Sequence, residues 1–195
     1  LGTSLSLADS PAQTQQPSLN GTGALRWMTH ADRVHLQHLH QTGPVQALVL
    51  LHGLEGSSKS RYVQSIAQYF RARGWVVVIA HFRGCSGFPN RLARAYHSGD
   101  SEEIAFILQT VRHALPGATW HAAGVSLGGN ALLKYLGEHP EQSSWIEAAA
   151  GISVPLDLVA AGNHLSDDAF NRHIYSRYFL RSLKPKVLEK AKRFP

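Results

Sequence analysis

The sequence predicts an α/β fold in which helices cover both faces of a mainly parallel sheet. Strand-sized apolar runs alternate with helices that carry their apolar residues on one face, as in βαβ units with right-handed crossovers. A length of 195 residues suffices for one domain with a sizeable core. A third observation is Ser126, which has glycine on both sides and lies where a strand pattern changes to a helix pattern. Together these features favour one α/β domain with a functional turn at Ser126.

The predicted elements follow one another in a regular order. Apolar runs predict six strands, over residues 23–30, 33–40, 45–51, 75–81, 118–125 and 146–154. Amphipathic patterns predict core-facing helices over residues 61–73, 101–115 and 129–138. Residues 1–23 are rich in Ser, Thr, Gln, Pro and Gly and are predicted to be a flexible arm or linker. Residues 24–160 are assigned to the core and residues 161–195 to cap or lid helices.

The segment from Gly124 to Gly128 reads Gly-Val-Ser-Leu-Gly. In the nucleophile elbow of hydrolases the backbone turns so sharply that only small residues fit two positions before and two after the serine. Gly124 and Gly128 meet that requirement. The turn would hold the Ser126 hydroxyl at the carboxyl end of the strand, where a histidine can take its proton as it attacks a carbonyl carbon. The alternative is an ordinary Gly-Ser loop at a helix start.

A second glycine-rich turn, from His52 to Gly56, follows the strand predicted over 45–51. Acyl transfer places negative charge on the former carbonyl oxygen, and each backbone N–H directed at that oxygen stabilises it by roughly 3 to 4 kcal/mol. By position, the donors of such an oxyanion hole are predicted to be Leu54 and Leu127, with His52 and Gly53 as supporting residues. An ordinary loop between a strand and a helix is the alternative.

Four blocks of sequence resemble the YheT-like branch of the α/β-hydrolases. In chain order they are Leu-His-Gly-Leu-Glu-Gly-Ser at 51–57, His-Phe-Arg-Gly-Cys-Ser-Gly at 81–87, Tyr-His-Ser-Gly at 96–99 and Gly-Val-Ser-Leu-Gly-Gly-Asn at 124–130. The resemblance extends from about residue 45 to the C-terminus. It implies a carboxylic-ester hydrolase with a Ser-Asp-His triad, in which Ser126 is the nucleophile and the substrates are acyl or lipid-like esters.

The acid and the histidine of such a triad are harder to assign. A complete α/β-hydrolase usually needs more than 195 residues, so the expectation is a fold truncated after about six strands and the start of a cap. In the eight-strand order that the resemblance implies, the acid follows the seventh strand and the histidine the eighth, so we expect both beyond Pro195. We therefore expect these residues alone to be inactive or nearly so. Asp157 is an alternative acid, but a role in accepting backbone N–H groups at a helix start is favoured. His164 and His173 are candidates by residue type, and surface or cap positions are favoured for both.

The last part of the chain has the pattern of a lid. Apolar residues occupy two neighbouring helical faces, one with Phe170, Ile174 and Tyr178 and the other with Tyr175, Phe179 and Leu183. In esterases such a segment closes over the nucleophile, presents apolar side chains to the acyl chain and excludes water. The alternative is a helix packed into the core of another part of the protein.

Charge and composition narrow the set of partners. The net charge is +6, but only 16% of residues are charged, and the late basic cluster is explained by a solvated helix face: Lys184, Lys186, Lys190, Lys192 and Arg193. No aromatic-basic pattern accompanies it, so nucleic acid is not an expected partner. Contact with anionic lipid headgroups at a membrane surface stays open. The expected partner is a small-molecule or lipid-like ester.

No cofactor or metal is expected. His38 and His40 share one face of a predicted strand and His35 lies on the other, with no carboxylate pattern nearby. Cys85 is the only cysteine, so no intrachain disulfide forms, and a structural role is favoured. The first residues lack the pattern of a secretory signal, and the apolar runs are too short to span a bilayer. An anchor upstream of Leu1 stays open, because the sequence does not begin with Met. A cytoplasmic location is the expectation.

Two other functions remain open alongside ester hydrolysis. An acyltransferase would use the same nucleophile and oxyanion hole but pass the acyl group to an alcohol or thiol instead of water. A non-catalytic scaffold is the other alternative, because a fold does not determine a function. Against the scaffold stands the cost of keeping a strained serine turn that has no use.

Overall fold

The computed structural model describes residues 4–7, 45–90, 92–167, 170 and 172–194. Its described strands form one parallel sheet in the order β1-β3-β2-β4-β5. This order differs from the order along the chain, so crossover connections join strands that are not neighbours in the sheet. The strands are β1 (Ser4–Leu7), β2 (Gln46–Leu51), β3 (Val76–Ala80), β4 (Thr119–Val125) and β5 (Ile146–Ile152). Because all of them are parallel, their carboxyl ends meet at one edge of the sheet.

Six α-helices and a π-helical turn accompany the described strands. They are α1 (Arg61–Arg71), α2 (Ser101–Ala114), α3 (Leu127–Glu138), α4 (Pro140–Ser143), α5 (Leu158–Asp167), the π-helical turn Arg172–Ser176 and α6 (Arg177–Arg193). Asp100 caps α2 by accepting a hydrogen bond from the Glu103 N–H. Pro185 lies inside α6. In the described part of the chain, no helix is both long and apolar enough to cross a membrane.

The two faces of the sheet bury separate sets of side chains. Alternate residues of β2 and β3 pack on α2 and α3, where Ile104, Leu108, Leu132 and Tyr135 are buried. The intervening residues pack on α1, where Val63 and Ala67 are buried. This alternation follows from the two-residue period of a strand and explains why β2 is apolar almost throughout.

The α/β fold with helices on both faces of a parallel sheet is therefore confirmed. The four strands predicted between 45 and 154 are present, within a residue or two of their predicted bounds. The two strands predicted over 23–30 and 33–40 lie outside the described residues. So do His35, His38 and His40.

One short strand was not predicted. Ser4–Leu7 pairs in parallel with β3 inside the segment that the sequence assigned to a flexible arm, so the arm assignment is wrong for these four residues. Leucine and serine alternate there, which is the two-residue period of a strand. The run has only four residues and lies close to Ser, Thr, Gln and Pro residues. The prediction therefore followed the composition of the segment and missed the strand.

Candidate active site

Backbone strain is concentrated at the carboxyl edge of the sheet. Among the described residues, three that are not glycine have positive φ: Glu55 at 56°, Ser126 at 52° and Ser153 at 51°. They follow β2, β4 and β5, which are neighbours in the sheet. Residues other than glycine rarely adopt a positive φ, and residues held in this conformation cluster at functional sites. This edge is therefore where a site is expected.

Ser126 lies at the turn between β4 and α3. Its φ is 52° and its ψ is −118°, and its N–H donates a 2.8 Å hydrogen bond to the Ile152 carbonyl at the end of β5. A side chain at Gly124 would place its Cβ 2.5 Å from the Gly128 carbonyl oxygen, and one at Gly128 would lie 2.8 Å from the Leu51 carbonyl oxygen. Both positions therefore require glycine, for the steric reason anticipated from the sequence.

The turn after β2 lies directly beside Ser126. A Cβ at Gly53 would lie 3.3 Å from the Ser126 Cβ, so these two backbones are in contact. Tyrosine hydroxyls accept hydrogen bonds from the residues on either side of Leu54: Tyr62 from the Gly53 N–H at 2.8 Å and Tyr96 from the Glu55 N–H at 3.0 Å. The loop is thus held at the Gly53 and Glu55 N–H groups, one on each side of Leu54.

Two backbone N–H groups near Ser126 have no acceptor among the described residues. Within the residues that the structure describes, neither the Leu54 N–H nor the Leu127 N–H has a hydrogen bond. Leu127 is the first residue of α3, where the helix dipole also favours negative charge. Both groups are thus available to an acceptor atom from a ligand.

His52 supports the turn and stays neutral. Its side chain is fully buried, Nδ1 donates to the Gly53 carbonyl at 2.8 Å, and Nε2 accepts from the Phe82 N–H at 3.2 Å. Burial, which disfavours the charged ring, lowers the pKa of His52 to about 4. Because both ring nitrogens are occupied, His52 is a structural residue of the loop and does not act as a base for Ser126.

Glu55 connects the same turn to α6. Its carboxylate accepts hydrogen bonds from the Tyr96 hydroxyl at 2.7 Å and from Lys186 at 2.8 Å. Burial acts to raise the pKa of Glu55, but the hydrogen bonds from Lys186 and Tyr96 outweigh it, so the pKa lies below its usual value. The carboxylate is therefore charged at neutral pH.

A cavity of about 580 Å³ lies between α6 and the segment that follows β3. Its walls are mainly apolar, with Leu54, Phe88, Leu183 and Val187 among the lining residues. Arg83, Lys190 and Arg193 also line it. Since Leu54 lines the cavity, this space borders the loop that contacts Ser126.

The alternative acid and base candidates lie elsewhere. Asp157 accepts a 2.8 Å hydrogen bond from the Ala160 N–H at the start of α5, which is the helix-start role favoured from the sequence. His164 and His173 are exposed on α5 and on the π-helical turn. Within the described residues, the Ser126 hydroxyl has no hydrogen bond, so none of these side chains is paired with it.

Sequence reasoning missed three side chains that shape the turn. Tyr62 lies nine positions after Gly53 and Tyr96 lies 41 positions after Glu55, and both hold the turn through their hydroxyl groups. Lys186 comes from α6. Tyr96 opens one of the four blocks that carry the family resemblance, which was a signal of importance without a role. Tyr62 had no such signal, because a tyrosine near the start of a helix is usually a packing residue.

Comparison with known proteins places the chain in a family. The family model of the α/β-hydrolase fold matches residues 46–186. The chain is also 39% identical, over 76% of its length, to a protein of Escherichia coli K12 named "Putative esterase YheT". This chain is a YheT-like α/β-hydrolase.

Other relatives have names that describe ester chemistry. The chain is 33% identical, over 67% of its length, to a medium-chain fatty acid ethyl ester synthase/esterase of Saccharomyces cerevisiae. It is 30% identical, over 72% of its length, to the phospholipase ABHD3 of Homo sapiens. The chain spans 43%, 29% and 34% of the lengths of these three relatives, in the order given.

Proposed function

We propose that the protein is a serine hydrolase that cleaves carboxylic esters through an acyl-enzyme on Ser126. The observation that carries this proposal is the turn at Ser126, where a serine at positive φ lies against the Gly53 backbone. Holding such a backbone costs roughly 1–3 kcal/mol, and such strain is characteristic of functional sites. The names of the relatives, which include an esterase and a phospholipase, support an ester as the substrate.

In the proposed reaction, the Ser126 Oγ attacks the carbonyl carbon of the ester while a histidine takes the hydroxyl proton. The carbonyl oxygen becomes an oxyanion and accepts hydrogen bonds from the Leu54 and Leu127 N–H groups. Collapse of this intermediate breaks the bond to the alcohol oxygen, and the alcohol leaves with the proton from the histidine. A water molecule then attacks the acyl-enzyme in the same way and releases the acid, which restores Ser126.

The histidine and its acid partner are proposed to come from outside the described residues. Both nitrogens of His52 are occupied, and Asp157 serves the start of α5. His164 is exposed on α5. The complete protein is therefore the form in which activity is expected.

The substrate is proposed to be an acyl or lipid-like ester. The cavity between α6 and the segment after β3 has mainly apolar walls and borders Leu54. A volume of about 580 Å³ lies in the range of sites for small organic ligands. On this proposal, α6 acts as part of a cap that shields the acyl-enzyme from bulk water.

Acyl transfer to an alcohol is a second candidate. One relative is named both a synthase and an esterase of ethyl esters, and both reactions use the same acyl-enzyme. Incubating the protein with an acyl ester in the presence of ethanol separates the two functions. Formation of ethyl ester faster than free acid would identify a transferase, and free acid alone would identify a hydrolase.

A fluorophosphonate probe tests the nucleophile. We expect the complete protein to be labelled at Ser126, and Ser126→Ala to lose the label together with at least about a 1,000-fold drop in ester turnover. Ser153→Ala is the matched control, because Ser153 also has positive φ at the end of a neighbouring strand. Undiminished labelling of Ser126→Ala would refute the assignment, and an unlabelled wild-type protein without turnover would favour the scaffold.

A further inference from the structure

We infer that Glu55 is a positioning residue that couples the Leu54 N–H to the docking of α6. This inference rests on the proposed function, in which the Leu54 N–H binds the oxyanion. It adds a way in which the cap helix controls the reactive geometry. Glu55 makes the relevant contacts through both its backbone N–H and its carboxylate.

The backbone conformation of Glu55 is unfavourable, so a glutamate at this position needs an explanation. A left-handed backbone costs a non-glycine residue roughly 1–2 kcal/mol, and glycine would remove that cost. The side chain is only 6% exposed, and an unpaired carboxylate so deeply buried would be costly as well. A glutamate with φ of 56° is thus explained by the contacts that its carboxylate makes.

Tyr96 holds both parts of Glu55. Its hydroxyl accepts the Glu55 N–H at 3.0 Å and donates to the Glu55 carboxylate at 2.7 Å. Burial raises the pKa of Tyr96 far above its usual value, so the hydroxyl keeps its proton for this bond. With the Gly53 N–H held by Tyr62, the peptide groups before and after Leu54 are both fixed. A change at Glu55 therefore alters the direction of the Leu54 N–H.

The other partner of the carboxylate comes from α6. Lys186 Nζ lies 2.8 Å from one carboxylate oxygen and 3.0 Å from the other, although 131 positions separate the two residues. Further along α6, Lys190 donates to the Arg94 carbonyl at 2.8 Å, and Arg193 donates to the Asn90 carbonyl at 3.3 Å. These bonds dock α6 on the segment that carries Tyr96, so both partners of Glu55 depend on that docking.

Undocking of α6 would leave a buried carboxylate without its cation. The Tyr96 hydroxyl alone offsets only part of the cost of burying that charge, so Glu55 would turn outward or take up a proton. Either change releases the turn. The oxyanion hole is thereby predicted to be fully formed only when the cap is in place, which ties catalysis to a closed site.

The test compares Lys186→Met and Glu55→Gln with Lys184→Met in the complete protein. Lys184 is a neighbouring exposed lysine of α6 that does not line the cavity. We expect Lys186→Met and Glu55→Gln to lower kcat about tenfold or more with a smaller change in KM, because the lost interaction acts in the transition state. The double variant should be little worse than either single variant. Lys184→Met should match the wild type.

Hydrogen exchange of the backbone amides from His52 to Ser57 provides a readout that does not depend on turnover. Exchange is expected to rise severalfold in Lys186→Met and to stay unchanged in Lys184→Met. Unchanged exchange or unchanged kcat in Lys186→Met overturns the inference. A wild-type protein that has no turnover and no labelled Ser126 instead refutes the proposed function, and the exchange result still decides whether α6 controls the loop.

Discussion

The three inner strands and the region from β5 onward differ sharply in burial. Strands β2 and β3 are buried along nearly their whole length, whereas β5 is exposed from its second residue to its last. No described residue of α5 or α6 is buried. Leu132 of α3 is 0% exposed, and Val159 of α5 is 73% exposed. The turn at Ser126 thus lies where the buried core of the inner strands meets the exposed region that begins with β5.

The two regions contribute differently to the turn at Ser126. The inner region supplies the close glycine packing of the turn, and Tyr62 and Tyr96 hold the loop around Leu54. The exposed region adds two contacts, from the Ile152 carbonyl to the Ser126 N–H and from Lys186 to Glu55. Among the described residues, β5 pairs only with β4, and apolar side chains such as Leu156 and Leu158 face solvent. We expect further strands to pair with β5 in the complete protein and to bring the histidine and its acid partner to Ser126.

The largest effect is expected when the complete protein is compared with residues 1–195 alone. Without a base, the Ser126 hydroxyl is too weakly acidic to attack at neutral pH, so ester turnover by these residues should be lower by several orders of magnitude. Exposed apolar surface on β5 and α5 should also make molecules that consist of residues 1–195 alone associate with one another. Turnover and light scattering measured side by side test both expectations.

Strong turnover by residues 1–195 would contradict this division of roles. If that turnover also disappeared in Asp157→Asn or His164→Gln, the triad would lie within the described region after all. The control is Ser126→Ala in the same residues, which identifies hydrolysis by a contaminant.

The next effect concerns the pH dependence of folding stability in the inner region. Well above pH 6.5 the His52 ring is neutral in both the folded and the unfolded state. As the pH falls, the unfolded chain gains a proton near 6.5 that the folded protein binds only near 4, so stability decreases between these values. The loss approaches about 3 kcal/mol at most. Urea unfolding at pH 7.5 and pH 4.5 measures it.

His52→Gln should weaken this dependence, because an amide does not titrate. His164→Gln, on exposed α5, is the control for the substitution itself. An equal pH slope in all three proteins would mean that His52 does not resist protonation. The two variants thus test the inner and the outer region with the same substitution.

The smallest effect is a difference between two glycines. At Gly124 a Cβ would lie 2.5 Å from backbone atoms of α3, so Gly124→Ala should destabilise the protein by about 1–3 kcal/mol. At Gly162 of α5 no atom lies within 4 Å, so Gly162→Ala should be neutral or stabilising by about 0.4–1 kcal/mol. Thermal midpoints of both variants measure the contrast. A harmless Gly124→Ala would mean that the turn at Ser126 can widen without cost.

Much of the inner region could be predicted because its signals are local. An apolar run, a glycine at a fixed offset and an amphipathic helix are visible within a short window, and β2, β4 and α3 follow from them. The role of His52 as a supporting residue also came from its place beside Gly53. Its neutrality did not, because burial depends on residues such as Phe82 that the window does not contain.

The contacts that organise the turn could not be predicted for the same reason. Tyr96 lies 41 positions from Glu55, and Lys186 lies 131 positions away. Which tyrosine hydroxyl or lysine reaches a given loop depends on how the helices dock, and hydrophobic periodicity alone does not determine that docking. The short strand β1 was missed for the opposite reason, since its four residues carry too little signal.

Pro185 gives α6 two parts with different mechanical roles. A proline inside a helix has no N–H for the carbonyl four residues earlier, and its ring displaces that carbonyl, so the helix bends most easily there. The part after Pro185 is anchored through Lys186 and Lys190, whereas the part before it carries the exposed aromatic ring of Tyr178. On the proposed function, we expect Pro185 to act as a hinge: the part of α6 before it moves when a substrate enters, while the part after it stays bound to the loop.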